Sequence, residues 1–391
     1  MTSNWKTSTI GTACSLVTDG SHSSPKSVES GEYMVSVKDF TEYGFDFTSC
    51  RRISSEDYEM LKRNGCVPEQ DDILIGKDGA RYFEDIIIYR QPERPALLSS
   101  IAILRCNKEE ILPEFLYYTL RTPSFKQDVR DNYGSGSAIP RIILKDFKRM
   151  PISFPSLDVQ RQITAVLSIL DQRIQINTKI NDNLAELLQA VYQERFGDVS
   201  AATELGTLSD ICSYSRDRVA VSELNASTYF STENMLSGKA GATEAASLPT
   251  IPQTTACHKG DTLISNIRPY FKKIVYCEDR CGCSTDVLCF TPVQPKYAAY
   301  LFSTLYADKF FAFMVAGSKG TKMPRGDKQQ IMAYPAALPS DEELDEFNKL
   351  ALPILAQLHS NKAENKRLSA TRDALLPKLM SGEIDASDIQ L

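Results

Sequence analysis

PSLDVQRQITAVLSILDQRIQINTKINDNLAELLQAVYQERFGD, from Pro155 to Asp198, decides how this chain is built. Apolar residues fall at Ile163, Val166, Leu167, Leu170, Ile174, Ile180, Leu184, Leu187, Leu188 and Val191, and spacings of three and four persist over four heptads. That periodicity predicts one long amphipathic helix with a coiled-coil seam. At ~1.5 Å per residue, its roughly 39 residues would reach ~58 Å. Gly197 stands where such a helix conventionally stops.

The same plan returns at an offset of 184 residues. Pro140-Arg141 reappears as Pro324-Arg325, Pro151 as Pro335, and Pro155-Ser156 as Pro339-Ser340. Ile163, Leu170, Asn177, Leu184 and Val191 map onto Phe347, Ile354, Asn361, Leu368 and Leu375, a ladder with Asn at the middle rung of each copy. A period this long means a duplicated domain plus helix, not a solenoid. Two tandem copies of one module tend toward pseudo-two-fold symmetry.

The second helix has Phe347, Leu350, Ile354, Leu358, Leu368, Leu375 and Leu379 as its apolar seam. Pro353 is expected to kink it early, Pro377 to mark its fraying end, and Gly382 its stop. Two helices with matching heptads most simply pair with each other, and antiparallel pairing would put the two domains at opposite ends of a rod. Asn177 and Asn361 either fix the register by bonding in one alignment only, or face solvent as the phase drifts from 3.5 toward 3.6 residues per turn.

Before each helix lies an α+β mixture. The first copy has the β-like runs YMVSV, DDILIG, FEDIIIY and SSIAILRC, then the helical piece LPEFLYYTLRTPSFKQDVRDNYG and the loop GSGSAIPRI. In the second, GDTLISNI stands where DDILIGKD stood. The organisation is therefore α+β domain at 1–156, long helix at 157–197, second α+β domain at 198–340, second long helix at 341–382 and a tail at 383–391.

Hydrophobic residues at 42% and charged residues at 24% describe a soluble globular chain of 391 residues, with room for two cores. No apolar run approaches ~18 residues and MTSNWKTSTIG lacks a signal-peptide layout, so a cytoplasmic protein is expected. The ten cysteines then read as reduced thiols. Cys277, Cys281, Cys283 and Cys289, with His258 upstream, lack paired C-x2-C spacing and read as buried or idle thiols rather than a metal site.

A net charge of −6 argues against a wholly basic coat for nucleic acid, but charge is sorted by segment. NIRPYFKK (266–273) carries three positive charges and no negative one, and GSKGTKMPRGDK (317–328) four against one Asp. DEELDE (341–346) is acidic and opens a helix, where carboxylates complement the dipole.

Catalytic signatures are missing. Gly76-Lys77 and Gly238-Lys239 have no Gly five residues earlier, so no P-loop is encoded. His22, His258 and His359 sit near no nucleophile motif. Asp71 and Asp72 with Asp146-Phe147-Lys148 loosely resemble a nuclease carboxylate pattern, yet Asp72 has a counterpart in Asp261 at the start of a strand, where a turn residue is expected. Binding fits better. Arg268, Lys272 and Lys273 alternate with Asn266, Tyr270 and Phe271, combining phosphate contacts, a bidentate-capable amide and stacking surface. Ser318, Lys319, Lys322 and Arg325 suit a phosphate backbone, and the first copy offers Lys77, Arg81, Ser135, Ser137 and Arg141 at matching places.

The alternation of α+β domain and long helix resembles the specificity subunit of a type I restriction-modification system. The Pro155–Asp198 stretch is similar to that family's central conserved region and RDALLPKLMSGEI to its distal one. STENMLSGKAG, GDTLISNIRPYFKKI and GSKGTKMPRGDK resemble one kind of target recognition domain, whereas the first domain shows only DDILIGKDG, GSGSAIPRI and the Pro151–Ser156 exit.

The resemblance implies a non-catalytic subunit that reads double-stranded DNA, with each recognition domain taking one half of a split target in the major groove. The paired helices would set the spacer and dock two methyltransferase subunits, and through them the restriction and translocase subunits. S-adenosylmethionine, ATP and Mg would sit on those partners, and no cofactor on this chain. The setting implied is bacterial or archaeal, cytoplasmic and nucleoid-associated. Two rivals remain: a coiled-coil scaffold, which predicts no sequence-selective DNA binding, and a self-sufficient nuclease, which predicts metal-dependent cleavage by the chain alone. A specificity chain lacking active partners would be told apart by its neighbouring genes.

Overall fold

A computed structural model describes residues 5–134, 140–198 and 204–386. The chain divides into two compact units, one of 1–174 with 366–391 and one of 175–365. Each unit combines a globular α+β part with one half of each long helix.

In the first unit the central sheet is four-stranded and antiparallel, in the order Cys14–Asp19, Ile101–Cys106, Ile73–Gly76, Ile86–Ile88. Its two inner strands carry the continuous apolar runs ILIG and IAIL because both faces are covered. Ile73, Ile75, Ala102 and Leu104 point into the core with helix Pro113–Arg121, while Leu74, Ile101 and Ile103 enter a second cluster with Val35, Phe45 and Tyr89. A strand buried on two faces has no polar side to alternate with.

The second unit repeats this sheet: Cys212–Tyr214, Val287–Pro292, Thr262–Ser265, Ile274–Tyr276. Ile264, Leu288 and Phe290 face the helices, and Leu263, Val287 and Cys289 the opposite cluster. The outer sheets differ. The first unit has three strands, Arg51–Ile53, Glu32–Val35 and Ala96–Leu97; the second has four, Arg218–Ala220, Gln253–Cys257, Cys281–Cys283 and Tyr229–Phe230. The copies therefore diverge ahead of the strict repeat.

The long helices run Leu157–Phe196 and Asp341–Met380, 40 residues each. The second opens on a capping box: the Glu343 amide donates to Ser340 Oγ and the Ser340 amide to Glu343 Oε2. Pro353 and Pro377 both lie within this helix, which runs unbroken through them.

The helices pair antiparallel within each unit. In the first, Asp171 meets Arg372 at 2.8 Å; in the second, Asn177 bonds Asn365, Asn181 bonds Asn361, and Arg195 meets Glu346. Asn177 and Asn361 are buried at 2% and 4% exposure, so of the two readings of these residues the structure takes the register-fixing one. Ile163 and Phe347 are fully packed, and Leu170, Leu184, Val191, Ile354, Leu368 and Leu375 are half-buried along the same line. Ile180, Leu187 and Leu350 correct the expected seam, since all three are exposed. Each precedes a seam residue, Asn181, Leu188 or Ala351, and one residue of helix turns a side chain by about 100°.

Candidate nucleic-acid interface

In the second unit the hairpin of Thr262–Ser265 and Ile274–Tyr276 carries NIRPYFKK at its tip. Pro269–Phe271 forms a single tight turn, flanked by Arg268 (φ 50°) and Lys272 (φ 51°). Two non-glycine residues in the left-handed region are costly and persist only where the surroundings hold them. Here the surroundings are hydrogen bonds. The Gly238 and Lys239 amides donate to the carbonyls of Phe271 and Lys272, and the Arg268 amide donates to Pro324 O at 2.8 Å. The Gly326 amide donates back to Asn266 O at 3.2 Å. The hairpin tip and the 317–328 loop are thus clasped into one surface.

That clasp sorts the expected residues. Tyr270 is 50% and Phe271 37% exposed. Lys319, Lys322 and Arg325 are exposed, with Lys319 against Asp327 and Arg325 against Asp286 at 3.0 Å. Lys272 and Lys239 both reach Asp308 Oδ1 at 2.8 Å, and their hydrogen bonds hold that carboxyl below its usual range. Lys273 Nζ donates to Thr232 O, and partial burial lowers its ammonium pKa. Ser318 Oγ donates to Val315 O and closes the preceding helix. Asn266 departs from the sequence reading: it is 9% exposed, with Oδ1 shut away against Gly326, so its amide is not presented to a base edge. A Cβ at Gly326 would lie 2.8 Å from Asn266 Oδ1.

The first unit has the same clasp. The Gly79 amide donates to Pro140 O at 2.9 Å and the Ile142 amide to Lys77 O at 3.0 Å, which makes Lys77 the counterpart of Asn266. Both are buried, and this corrects the expectation for Lys77. Its ammonium is 3.4 Å from the buried Asp19 carboxylate and 3.5 Å from the half-buried Asp78, so it neutralises these carboxylates instead of meeting phosphate. Arg81 and Arg141 are exposed, Arg81 paired with Asp85 at 2.8 Å. Ser135 and Ser137 lie outside the described residues. Sequence reasoning missed Lys239, Asp286, Asp308 and Asp19. Lys239 had entered only as part of a failed P-loop and inside the stretch STENMLSGKAG, never as a site residue, and the acidic partners come from distant segments with no local signal.

The carboxylates of the nuclease-like pattern are tied down. Asp72 accepts two hydrogen bonds from Arg105, Asp71 pairs with Arg90 and Lys108, and Asp146 with Arg149. Asp72 caps the Glu69 amide as Asp261 caps the His258 amide, a strand-start role shared by both copies. Cys257, Cys277, Cys281, Cys283 and Cys289 pack together under the hairpin, with Cys281 Sγ 3.6 Å from Cys277 Sγ. Among the described residues no group of three or more His, Cys, Asp and Glu is arranged to hold a metal ion. No described helix is long and apolar enough to cross a membrane.

A duplicated α+β module with a two-loop clasp on each copy, and long helices paired by buried amides, is the architecture expected of a DNA-specificity protein. Known proteins make the class particular. Residues 3–186 match the family described as type I restriction modification DNA specificity domain. The chain is 22% identical over 326 residues to the type I restriction enzyme MjaIX specificity subunit of Methanocaldococcus jannaschii, across 72% of this chain and 71% of that protein. A 100-residue stretch is 28% identical to the type I restriction enzyme HindI specificity subunit of Haemophilus influenzae, across 25% of this chain and 21% of that one. The type I restriction-modification S subunit from M. genitalium shares the fold, with a TM-score of 0.52 at 17% identity over 96% of both chains. This chain is therefore similar to type I restriction-modification DNA specificity subunits over most of its length, and the family match itself lies in its first half.

Proposed function

We propose that each globular part reads one half of a bipartite DNA target, and that the paired helices set the spacer between halves and dock the methyltransferase subunits. The observation that carries this reading is the clasp in the second unit, which presents Lys319, Lys322, Arg325, Tyr270 and Phe271 on one continuous surface. Cations there meet phosphate, and the aromatic tip is shaped for a groove. Arg268 and Lys272 hold the tip in its left-handed turn. Arg81 and Arg141 are the exposed cations at the corresponding place in the first unit.

On this reading the chain performs no chemistry. Methylation would belong to two methyltransferase subunits with S-adenosylmethionine, and translocation and cleavage to ATP- and Mg-dependent restriction subunits. Mapping methylated adenines in DNA from cells with and without the gene yields both half-sites and the spacer at once. A genome in which deletion removes no split methylated motif would sink the proposal. In the reconstituted complex, Arg268→Ala should weaken binding by ~1–3 kcal/mol if the side chain reads a base; a phosphate contact would instead weaken all sequences alike. Unchanged affinity and salt dependence would displace the second site from this hairpin.

A further inference from the structure

The two long helices are not interchangeable at one layer of their seam. In the first unit Arg372 Nη1 lies 2.8 Å from Asp171 Oδ1, and both side chains are buried. The Tyr118 hydroxyl donates to Asp171 Oδ2 at 2.8 Å, and Arg121 stands 3.9 Å away. The repeat of 184 residues carries Asp171 onto Leu355 and Leu188 onto Arg372. In the second unit Leu188 and Leu355 are both buried in one apolar cluster. The same layer is therefore ionic in one unit and apolar in the other.

The amide layer behaves differently. Asn177 bonds Asn365 at 2.9 Å and Asn361 bonds Asn181 at 2.9 Å, and the repeat interchanges these two pairs. An antiparallel pair of two first helices, from two copies of the chain, would still match Asn177 with Asn181. Amides alone fix register but not identity. The ionic layer does discriminate: in such a pair Asp171 would face Leu188, and in a pair of second helices Arg372 would face Leu355. Tyr118 and Arg121 belong to the same half as Asp171 and would stay with it. Arg372 would keep only Asp373, whose side chain is 62% exposed. A buried charge set against Leu without its counter-ion is the costly case.

We propose that the Asp171–Arg372 layer selects the partner of each long helix, admitting the chain's own other helix and rejecting the same helix of a second copy. The need arises during synthesis. At roughly 5–20 residues per second, the second helix is completed on the order of ten to forty seconds after the first, which meanwhile shows its seam to neighbouring nascent copies.

The test co-expresses two full-length chains bearing different affinity tags and measures the second tag after purification on the first. Wild-type chains are expected to stay unmixed, and Asp171→Leu/Arg372→Leu to raise mixing at least about tenfold, the least that loss of a few kcal/mol of discrimination implies. Circular dichroism checks that the variant is folded. Equal mixing in wild type and variant, or a folded variant that stays unmixed, overturns the proposal. If that variant is insoluble, Leu188→Arg decides the matter. It gives the first helix both halves of the ionic layer, so mixing should rise at least as much, and adding Asp171→Leu should bring it back down. Failure of Leu188→Arg to mix refutes the selection rule.

Discussion

Arg372→Leu is the sharpest perturbation of the first unit. The guanidinium and the Asp171 carboxylate it serves are 9% and 7% exposed, so neither is relieved by water. Breaking a buried pair from one side costs about 3–5 kcal/mol, because the remaining charge stays desolvated. Tyr118 and Arg121 remain beside Asp171, which places the expected loss near the lower end, about 3 kcal/mol. Asp171→Leu/Arg372→Leu removes both buried charges; the Tyr118 hydroxyl loses Asp171 as acceptor, and Arg121 and Asp373 each lose an ion-pair partner, a cost of about 1–3 kcal/mol. The double variant should therefore be more stable than Arg372→Leu alone, since the equivalent layer of the second unit already buries Leu188 and Leu355 in one apolar cluster. The assay is urea unfolding followed by Trp5, the sole tryptophan, which packs edge-on to Phe115 inside the same unit. With slopes of about 1–3 kcal/mol per M, the single variant should lower the midpoint by on the order of 1–3 M. A shift worth less than about 1 kcal/mol, or a double variant as damaged as the single, would refute the claim that this pair is buried and mutually compensating.

Other outcomes follow from the same geometry. Asn361→Leu strips the partners of Asn181 and Gln357 and should cost the second unit about 1–3 kcal/mol, read by thermal melting; an unchanged melt would mean the amide layer is wet. Gly326→Ala drives a Cβ to 2.8 Å from Asn266, Ile331 and Met314, so DNA affinity of the reconstituted complex should fall about tenfold or more, consistent with loss of one or more good contacts; full affinity would show that the clasp is not needed. For Asp308 the folded pKa is depressed, so its clamp on Lys239 and Lys272 is complete above the ordinary carboxylate pKa and is lost only as pH falls through the lowered folded value. Carboxyl NMR titration should give a midpoint below that of free Asp, moving up in Lys272→Ala. An unshifted midpoint would mean that the clamp does not form in solution.

The frame was legible in the sequence because helices report themselves locally. Spacings of three and four mark a buried face wherever they occur, and the 184-residue repeat showed that the face is used twice. The errors at Ile180, Leu187 and Leu350 are errors of one residue. Apolarity was read as burial, whereas the seam follows the angular phase of the helix. The central strands were recognisable as apolar runs, but nothing local showed that their second face meets an outer sheet, or that those outer sheets differ between the copies.

The site was legible only as basic segments. A charge run states which side chains are cationic and not which of them another element has already claimed. Lys77 is taken by Asp19, 58 residues away, and Lys272 by Asp308, 36 residues away. Lys239, dismissed as half of a failed phosphate motif, turned out to brace the hairpin tip.

The sequence by itself determined a duplicated α+β module, two long helices with an asparagine at the middle rung of each, and the absence of nucleotide-hydrolysis motifs, all of which are properties of spacing along one chain. Only the tertiary structure decided which cations are exposed and which buried, that each site is two loops clasped by backbone hydrogen bonds, and that one layer of the seam is ionic in one unit and apolar in the other. Those are matters of who stands opposite whom. Burial and pairing energies depend on distances between residues remote in the chain, and no periodicity encodes them.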